Sequence, residues 1–502
     1  VIVMFRGVLL LLLLIASPAS AQKAEDTLRI TWREAIPDLD PYHNSQRTGL
    51  VVAHQVWDGL IERDPQTLTL RPLLATSWKA TSDTSFEFEL RPGVTFHNGD
   101  PFTAEDVAYT IAQVTGDDPG LAVPSNFSWL AGADVIDPLH VRVRLKQVFP
   151  AALEYLALTL PILPKSYRSR VGAAFSRFPV GTGPYRVAEN DPDHILLERY
   201  DGYYPGGAKG RALIAHVAIR EVADSDSEIN DLLAGRADWI WSYQPDRGQE
   251  ILKNPALVEL RAESMRLGYL SMDAAGRTGA GNPLTLLKVR QAIEAGVDRA
   301  TIARTLVQGG ARVPDAPCFP TQFGCDVASA VHTDYDPARA RALLAEAGFP
   351  NGFDTTLVSY VLPQYTNAVA ANLAAIGIRV TVRQLPIAEA VALATGGAAP
   401  LFMGSWGSYS INDVSAILPY FFGGGDNDYA RVPEIEALIA QAGQTTNVDR
   451  RRAAYGEAIH QITAQALWLP LHTYVTPYAM TRALNFRPTA DELPRFYLAS
   501  WR

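Results

Sequence analysis

The 502-residue chain contains only two cysteines, no run of basic residues longer than three, and no internal repeat or low-complexity tract. No segment beyond residue 21 approaches the ~20 apolar residues that a membrane-spanning helix needs. The missing basic run, with a formal net charge of −9, argues against nucleic acid or an anionic membrane as partner. C-x-x-C is absent, which removes the usual redox motif. H-E-x-x-H, G-x-S-x-G and G-x-x-x-x-G-K-[ST] are absent too. The 9 histidines are scattered with no i, i+4 pair, so no metal-ligand spacing emerges. The glycine groups at Gly206-Gly207 and Gly423-Gly424-Gly425 lack the following helix of a phosphate cradle. Nothing specifies a reaction, and neither a cofactor nor a metal is expected.

The chain is too long for one ordinary core, so two or more domains are expected. Apolar residues make up 48% and charged residues 19%, a globular composition. Residues 1–21, VIVMFRGVLLLLLLIASPASA, read as a secretory signal. Arg6 precedes an apolar run from Val8 to Ala16, and Ala19-Ser20-Ala21 forms a small-x-small cleavage site. No cysteine follows that site, so no lipid anchor is expected there. In an oxidising compartment, Cys318 and Cys325, which bracket FPTQFG, read as a small disulfide.

Strand-like and helix-like segments alternate, as in an α/β or α+β protein. Phe86–Leu90 and His140–Leu145 show the period-two pattern of half-buried strands. Asp336-Pro337 starts a helix that Gly348 stops. Within FELRPGVTFHNGDPFTAEDV, Arg91-Pro92-Gly93 and Asn98-Gly99-Asp100-Pro101 read as turns. Thr103 opens a helix with Glu105 and Asp106 in its first turn, which gives His97 a structural rather than a catalytic setting. Asp224, Asp226 and Glu228 likewise read as helix-start acids rather than a cation site. Several aromatics stand in polar, loop-like contexts suited to ligand recognition: Trp129, Trp239, Trp241, Trp406 and Tyr409.

The stretch Leu70–Ile111 closely resembles the signature of family 5 extracellular solute-binding proteins, the dipeptide-, oligopeptide- and nickel-binding receptors of ABC importers. Matching pieces follow in the family's order: Val56–Leu60, Phe178–Val187, Leu232–Trp241, Val289–Ala303, Tyr335–Phe353 and the tryptophan-led Gly404–Val414. The resemblance implies an α/β, two-lobed periplasmic binding protein fold of type II, with an extra subdomain in the first lobe. Residues 22–48, 183–268 and 472–502 are expected to form the lobe I core, 49–182 the inserted subdomain and 269–471 lobe II. The chain would cross between lobes near Leu267-Gly268-Tyr269 and Pro470-Leu471-His472.

By the same resemblance, the loop His43–Thr48, including Asn44, Ser45 and Gln46, should line the cleft from lobe I, together with Trp241 and Tyr243. Trp406 and the residues after it should face them, and the polar setting of Trp129 makes it a further candidate. Peptide-binding members usually carry an aspartate three residues after the tryptophan; here that position is Tyr409. Asp413 could supply the charge from a shifted position. The arginine that dipeptide binders use upstream of the second-lobe Gly-Ile strand is missing, since none occurs between Phe353 and Ile378. The expected partners are a small-molecule ligand (a peptide, modified peptide, opine or oligosaccharide) and an inner-membrane ABC permease, with the chain acting as a monomer in the periplasm. A secreted hydrolase on a similar scaffold and a sensory or chaperone-like receptor are the alternatives.

Overall fold

Ten strands form one central sheet. In chain order they are β1 (Thr27–Trp32), β2 (Tyr185–Asp191), β3 (His194–Arg199), β4 (His216–Glu221), β5 (Trp239–Trp241), β6 (Leu257–Met272), β7 (Phe353–Ser359), β8 (Ile378–Gln384), β9 (Leu401–Trp406) and β10 (Trp468–Thr481). The structure, a computed structural model, describes residues 26–34, 38–44 and 46–502. The expected secretory segment and Ser45 lie outside these.

The spatial order is β8-β7-β9-β6-β10-β5-β1-β4-β3-β2. Two long antiparallel strands, β6 and β10, therefore occupy the middle and join the two ends of the sheet. One end is built from parallel and antiparallel pairs around β1 and β4, the other around β7, β8 and β9. Each end has its own apolar interior. Leu28, Ile30, Val217 and Trp239 join a core that extends into a separate four-stranded sheet carrying Phe88, Val141 and Val143. Around the other end, Phe402, Phe421, Tyr455 and Trp468 form a core on one side, and Leu270, Ile293, Leu357 and Leu401 form another. The architecture is the two-lobed α/β binding-protein fold with an added subdomain.

The pairing of β6 with β10 slips twice, first where Ser264, Met265 and Arg266 face only Tyr474, and again where Leu471 is skipped between His472 and Pro470. Such a bulge bends the strand and re-aims its side chains. Between the two slips Gly268 pairs with His472. A Cβ on Gly268 would lie 2.8 Å from Nε2 of His472, so the close approach requires glycine.

The capping signals act as their chemistry predicts. The Asp336 carboxylate accepts hydrogen bonds from the N–H groups of Ala338 and Arg339, at the start of the helix Pro337–Glu346. Thr103 accepts from the Glu105 N–H, and its own N–H donates to Asp106 Oδ2 at 2.9 Å, which forms a capping box. His97 is a structural clip. Its Nε2 lies 2.9 Å from the Gly183 carbonyl, while Nδ1 accepts from the Gly181 N–H. Burial lowers its pKa to about 4.

Candidate functional site

A cavity of about 440 Å³ opens between the two ends of the sheet. That volume falls within the ~300–1,000 Å³ usual for small-molecule sites. One wall is formed by the helix α1 (Arg47–Val56), which presents Arg47, Leu50 and His54 at i, i+3 and i+7 on one face. Tyr42, Asn44, Asn126, Phe127 and residues 157–159 stand on that wall too. The opposite wall is aromatic: Tyr269, Tyr360, Phe402, Trp406, Tyr409 and Tyr420. The helix Ile387–Thr395 adds Ile387, Val391 and Ala394.

Trp406 ends β9. Tyr420 stacks on its ring at 4.1 Å and 19°, while Tyr409 meets it edge-on at 5.2 Å. The indole N–H donates to the Ala416 carbonyl at 2.9 Å, which fixes the ring. The chain then turns through three successive left-handed residues, Ser408, Tyr409 and Ser410, with φ of 50°, 49° and 64°. For non-glycine residues such backbone costs about 1–2 kcal/mol each, so the surroundings must over-determine it. They do so. The Arg63 guanidinium donates to the Ser410 carbonyl and to Asp491, and Arg47 donates to Ser410 Oγ at 2.7 Å. The Asn412 N–H donates to Glu154 at 2.8 Å. Burial alone would raise the Asp491 carboxyl, but the Arg495 and Arg63 charges hold it well below the carboxylate range. These contacts tie residues 410–412 to Arg47, Arg63 and Glu154 beside the cavity.

Cys318 and Cys325 form a disulfide. The loop they close braces the segment after Trp406. Phe323 exchanges backbone hydrogen bonds with Asn412 and Val414, both at 3.0 Å, and Gln322 donates to the Ile411 carbonyl.

Asn44, Trp406 and Tyr409 stand in the cavity lining. Arg47, from the same expected loop, lines it too, Ser45 lies outside the described residues, and Gln46, Trp129, Trp241, Tyr243 and Asp413 stand outside the lining. Gln46 is exposed just before α1. Trp129 stacks on Phe149 at 4.7 Å, and its N–H is satisfied by the Asn126 carbonyl at 2.7 Å, so it is core for the residues that reach the cavity. Trp241 packs between Trp239 and Tyr478 and is 7% exposed; Tyr243 is 3% exposed in a small core with Ile229 and Ile251. Asp413 is consumed by Arg451, which grips both carboxylate oxygens at 2.9 and 3.0 Å, and it also accepts from the Ser415 N–H. Both side chains are buried, so this carboxylate cannot anchor a ligand amine without abandoning a buried cation.

Arg266, on the β6 bulge, is a lining residue that sequence reasoning missed. It donates to Glu492 Oε2 at 3.1 Å. Burial favours protonation of Glu492, but Arg266 and Arg47 outweigh it and lower the pKa. Lys209 and His54 also line the cavity. The Lys209 ammonium donates to the His54 and Trp57 carbonyls, both at 2.8 Å, and lies 2.9 Å from Asp58. Burial, aided by Lys209, keeps the His54 pKa well below its ordinary value. Among the described residues, one group could hold a metal ion: Glu189, Asp191 and His194, with ligand atoms within 4.8 Å of one another. It sits around the β2–β3 turn, outside the cavity lining.

Residues 69–428 match the family model "Bacterial extracellular solute-binding proteins, family 5 Middle". The chain belongs to this family. As a family 5 protein it is the substrate-binding component of an ABC importer, a receptor class that binds solutes. It is 27% identical over 479 residues to the glutathione-binding protein GsiB of Pectobacterium atrosepticum, covering 92% of this chain and 90% of the relative. Two solved structures share the fold. HbpA2 from Haemophilus parasuis superposes with a TM-score of 0.82 at 22% identity, over 95% of this chain and 100% of that one. DppA from Helicobacter pylori, in complex with the peptide STSA, superposes with a TM-score of 0.78 at 20% identity, over 95% and 99% of the two chains.

Proposed function

We propose that this family 5 protein captures a peptide-like or other polar organic solute in the cavity between its lobes, in the periplasm, and passes it unaltered to an inner-membrane permease. The observation that carries this reading is the make-up of the cavity: both lobes line it, and a latch from Arg63, Arg47 and Glu154 to residues 410–412 closes beside it. A ligand touching both walls stabilises the closed form, and only that differential affinity shifts the population. The proposed division keeps 22–48, 183–268 and 472–502 as the lobe I core, 49–182 as its insertion and 269–471 as lobe II. In that division the two crossings pair with each other at Gly268 and His472.

Binding without turnover fits the lining. His54, its only histidine, is held neutral and donates no hydrogen bond to a lining hydroxyl among the described residues. Native mass spectrometry of freshly purified protein should reveal a retained small molecule, released unchanged on unfolding. Small-angle scattering should then show a more compact particle with that molecule than without it. An unchanged scattering profile, or recovery of a chemically altered ligand, would sink this reading.

A further inference from the structure

The cavity's charges are unevenly satisfied, and the imbalance points to a ligand class. We propose that the solute is an organic carboxylate without a free amine, of which an N-blocked peptide or amino acid is the simplest form, and that Arg266 and Arg47 take its carboxylate. This rests on the receptor reading above.

The argument is an inventory of donors and acceptors. A guanidinium has five N–H donors in a fixed fork that matches a carboxylate. Among the described residues Arg266 spends one hydrogen bond, on Glu492, and its side chain is 31% exposed toward the cavity that it lines. Arg47 directs Nη1 to Ser410 Oγ and the Asp491 carbonyl, while its Nη2 stays 3.9 Å from Glu492, beyond hydrogen-bond reach. Two guanidiniums thus share one carboxylate, which also accepts from Thr476 at 2.8 Å and is itself outside the cavity lining. The third lining cation, Lys209, is already satisfied by two carbonyls and Asp58.

An ammonium would find no comparable partner. The single acid among the described lining residues is Glu62, whose side chain is 6% exposed and lies 3.8 Å from Arg495. Burying an unpaired ammonium in such a site is costly. The aromatic wall offers stacking surface to an uncharged remainder. The cavity therefore presents an anion seat at the bulge and an aromatic berth opposite, with no exposed carboxylate to pair a second, positive end.

Calorimetric titration with three probes tests this: N-acetyl-Ala-Phe, free Ala-Phe and N-acetyl-Ala-Phe amide. The blocked acid should bind roughly tenfold or more tightly than either of the others, because only it offers a carboxylate without an ammonium. In Arg266→Gln its advantage over the amide should fall by roughly tenfold, a loss of discrimination that a purely structural residue would not produce. The wild-type comparison decides on its own if that variant does not fold. An amide or a free dipeptide that binds as well as the blocked acid would overturn the proposal. So would a variant that keeps the full acid preference. Failure of all three probes, with glutathione still compacting the protein in scattering, would also overturn it while leaving the receptor reading in place.

Discussion

The two walls of the cavity are built from different materials. The lobe I wall carries Arg47, His54, Glu62 and Lys209, most of them tied into a buried ionic network beneath the surface. The lobe II wall carries Tyr269, Tyr360, Phe402, Trp406, Tyr409 and Tyr420 and no charged side chain. Arg266 enters from the strand that joins them. On the receptor reading proposed above, the first wall would filter by charge, and the second would measure shape and supply stacking area. Rigid rings lose little conformational entropy on binding, whereas a charged wall must be pre-ordered by its own network to be useful.

Breaking the charged wall should have the largest effect. Arg63→Ala leaves Asp491 to Arg495 alone and strips Glu154 and the Ser410 carbonyl of their guanidinium, and should cost about 3 kcal/mol of stability in chemical denaturation. A loss under about 1 kcal/mol would mean that the network is decorative.

Acid should weaken the scaffold on which both walls stand. Burial holds His97 and His472 near a pKa of about 4, against 6.5 for an ordinary histidine. Between those values the unfolded chain binds more protons, so stability falls as pH drops through that window, by up to ~1.4 kcal/mol per pH unit for each histidine. Above pH 6.5 this contribution is complete and flat. Glu228 and Glu294, which burial raises to about 7, act in the opposite direction in the same window. The check therefore compares wild type with a His97→Gln, His472→Gln variant from pH 7 to pH 4.5. Wild type should lose more of its thermal midpoint, and an equal or smaller loss would contradict the sign.

On the aromatic side, Trp406→Ala should weaken ligand binding by about 2 kcal/mol. Wild-type affinity in that variant would retire stacking as the role of this wall. The smallest effect belongs to Gln46→Ala. Its side chain is exposed and does not line the cavity, so affinity and stability should both stay within about 0.5 kcal/mol of wild type.

Which parts could be read from the sequence follows from how local each interaction is. Thr103 with Asp106, Asp336 with Pro337, and Cys318 with Cys325 act over a few residues, and their chemistry is visible in a short window. Family membership was legible because many short pieces recur in order along the chain. Residues decided by distant partners were not legible. Asp413 meets Arg451 from 38 residues away, so nothing near it announces that its charge is spent. Arg266 reaches the cavity because the β6 pairing slips, and a strand pattern gives no sign of a slip. Trp129, Trp241 and Tyr243 stand among polar neighbours in sequence yet bury their rings. Trp129 shows how, because its polar edge is satisfied by a carbonyl three residues away.

The ribbon of β6 and β10 has a mechanical consequence. Because one hydrogen-bonded sheet runs through both ends of the molecule, any rotation of one end against the other would be accommodated as torsion of that ribbon rather than as the swing of a slack connector. Torsion is elastic and shared over many bonds, so the rest position and the travel of the jaws are properties of the strands themselves. The membrane partner thus meets a shape whose range is set in advance by the sheet.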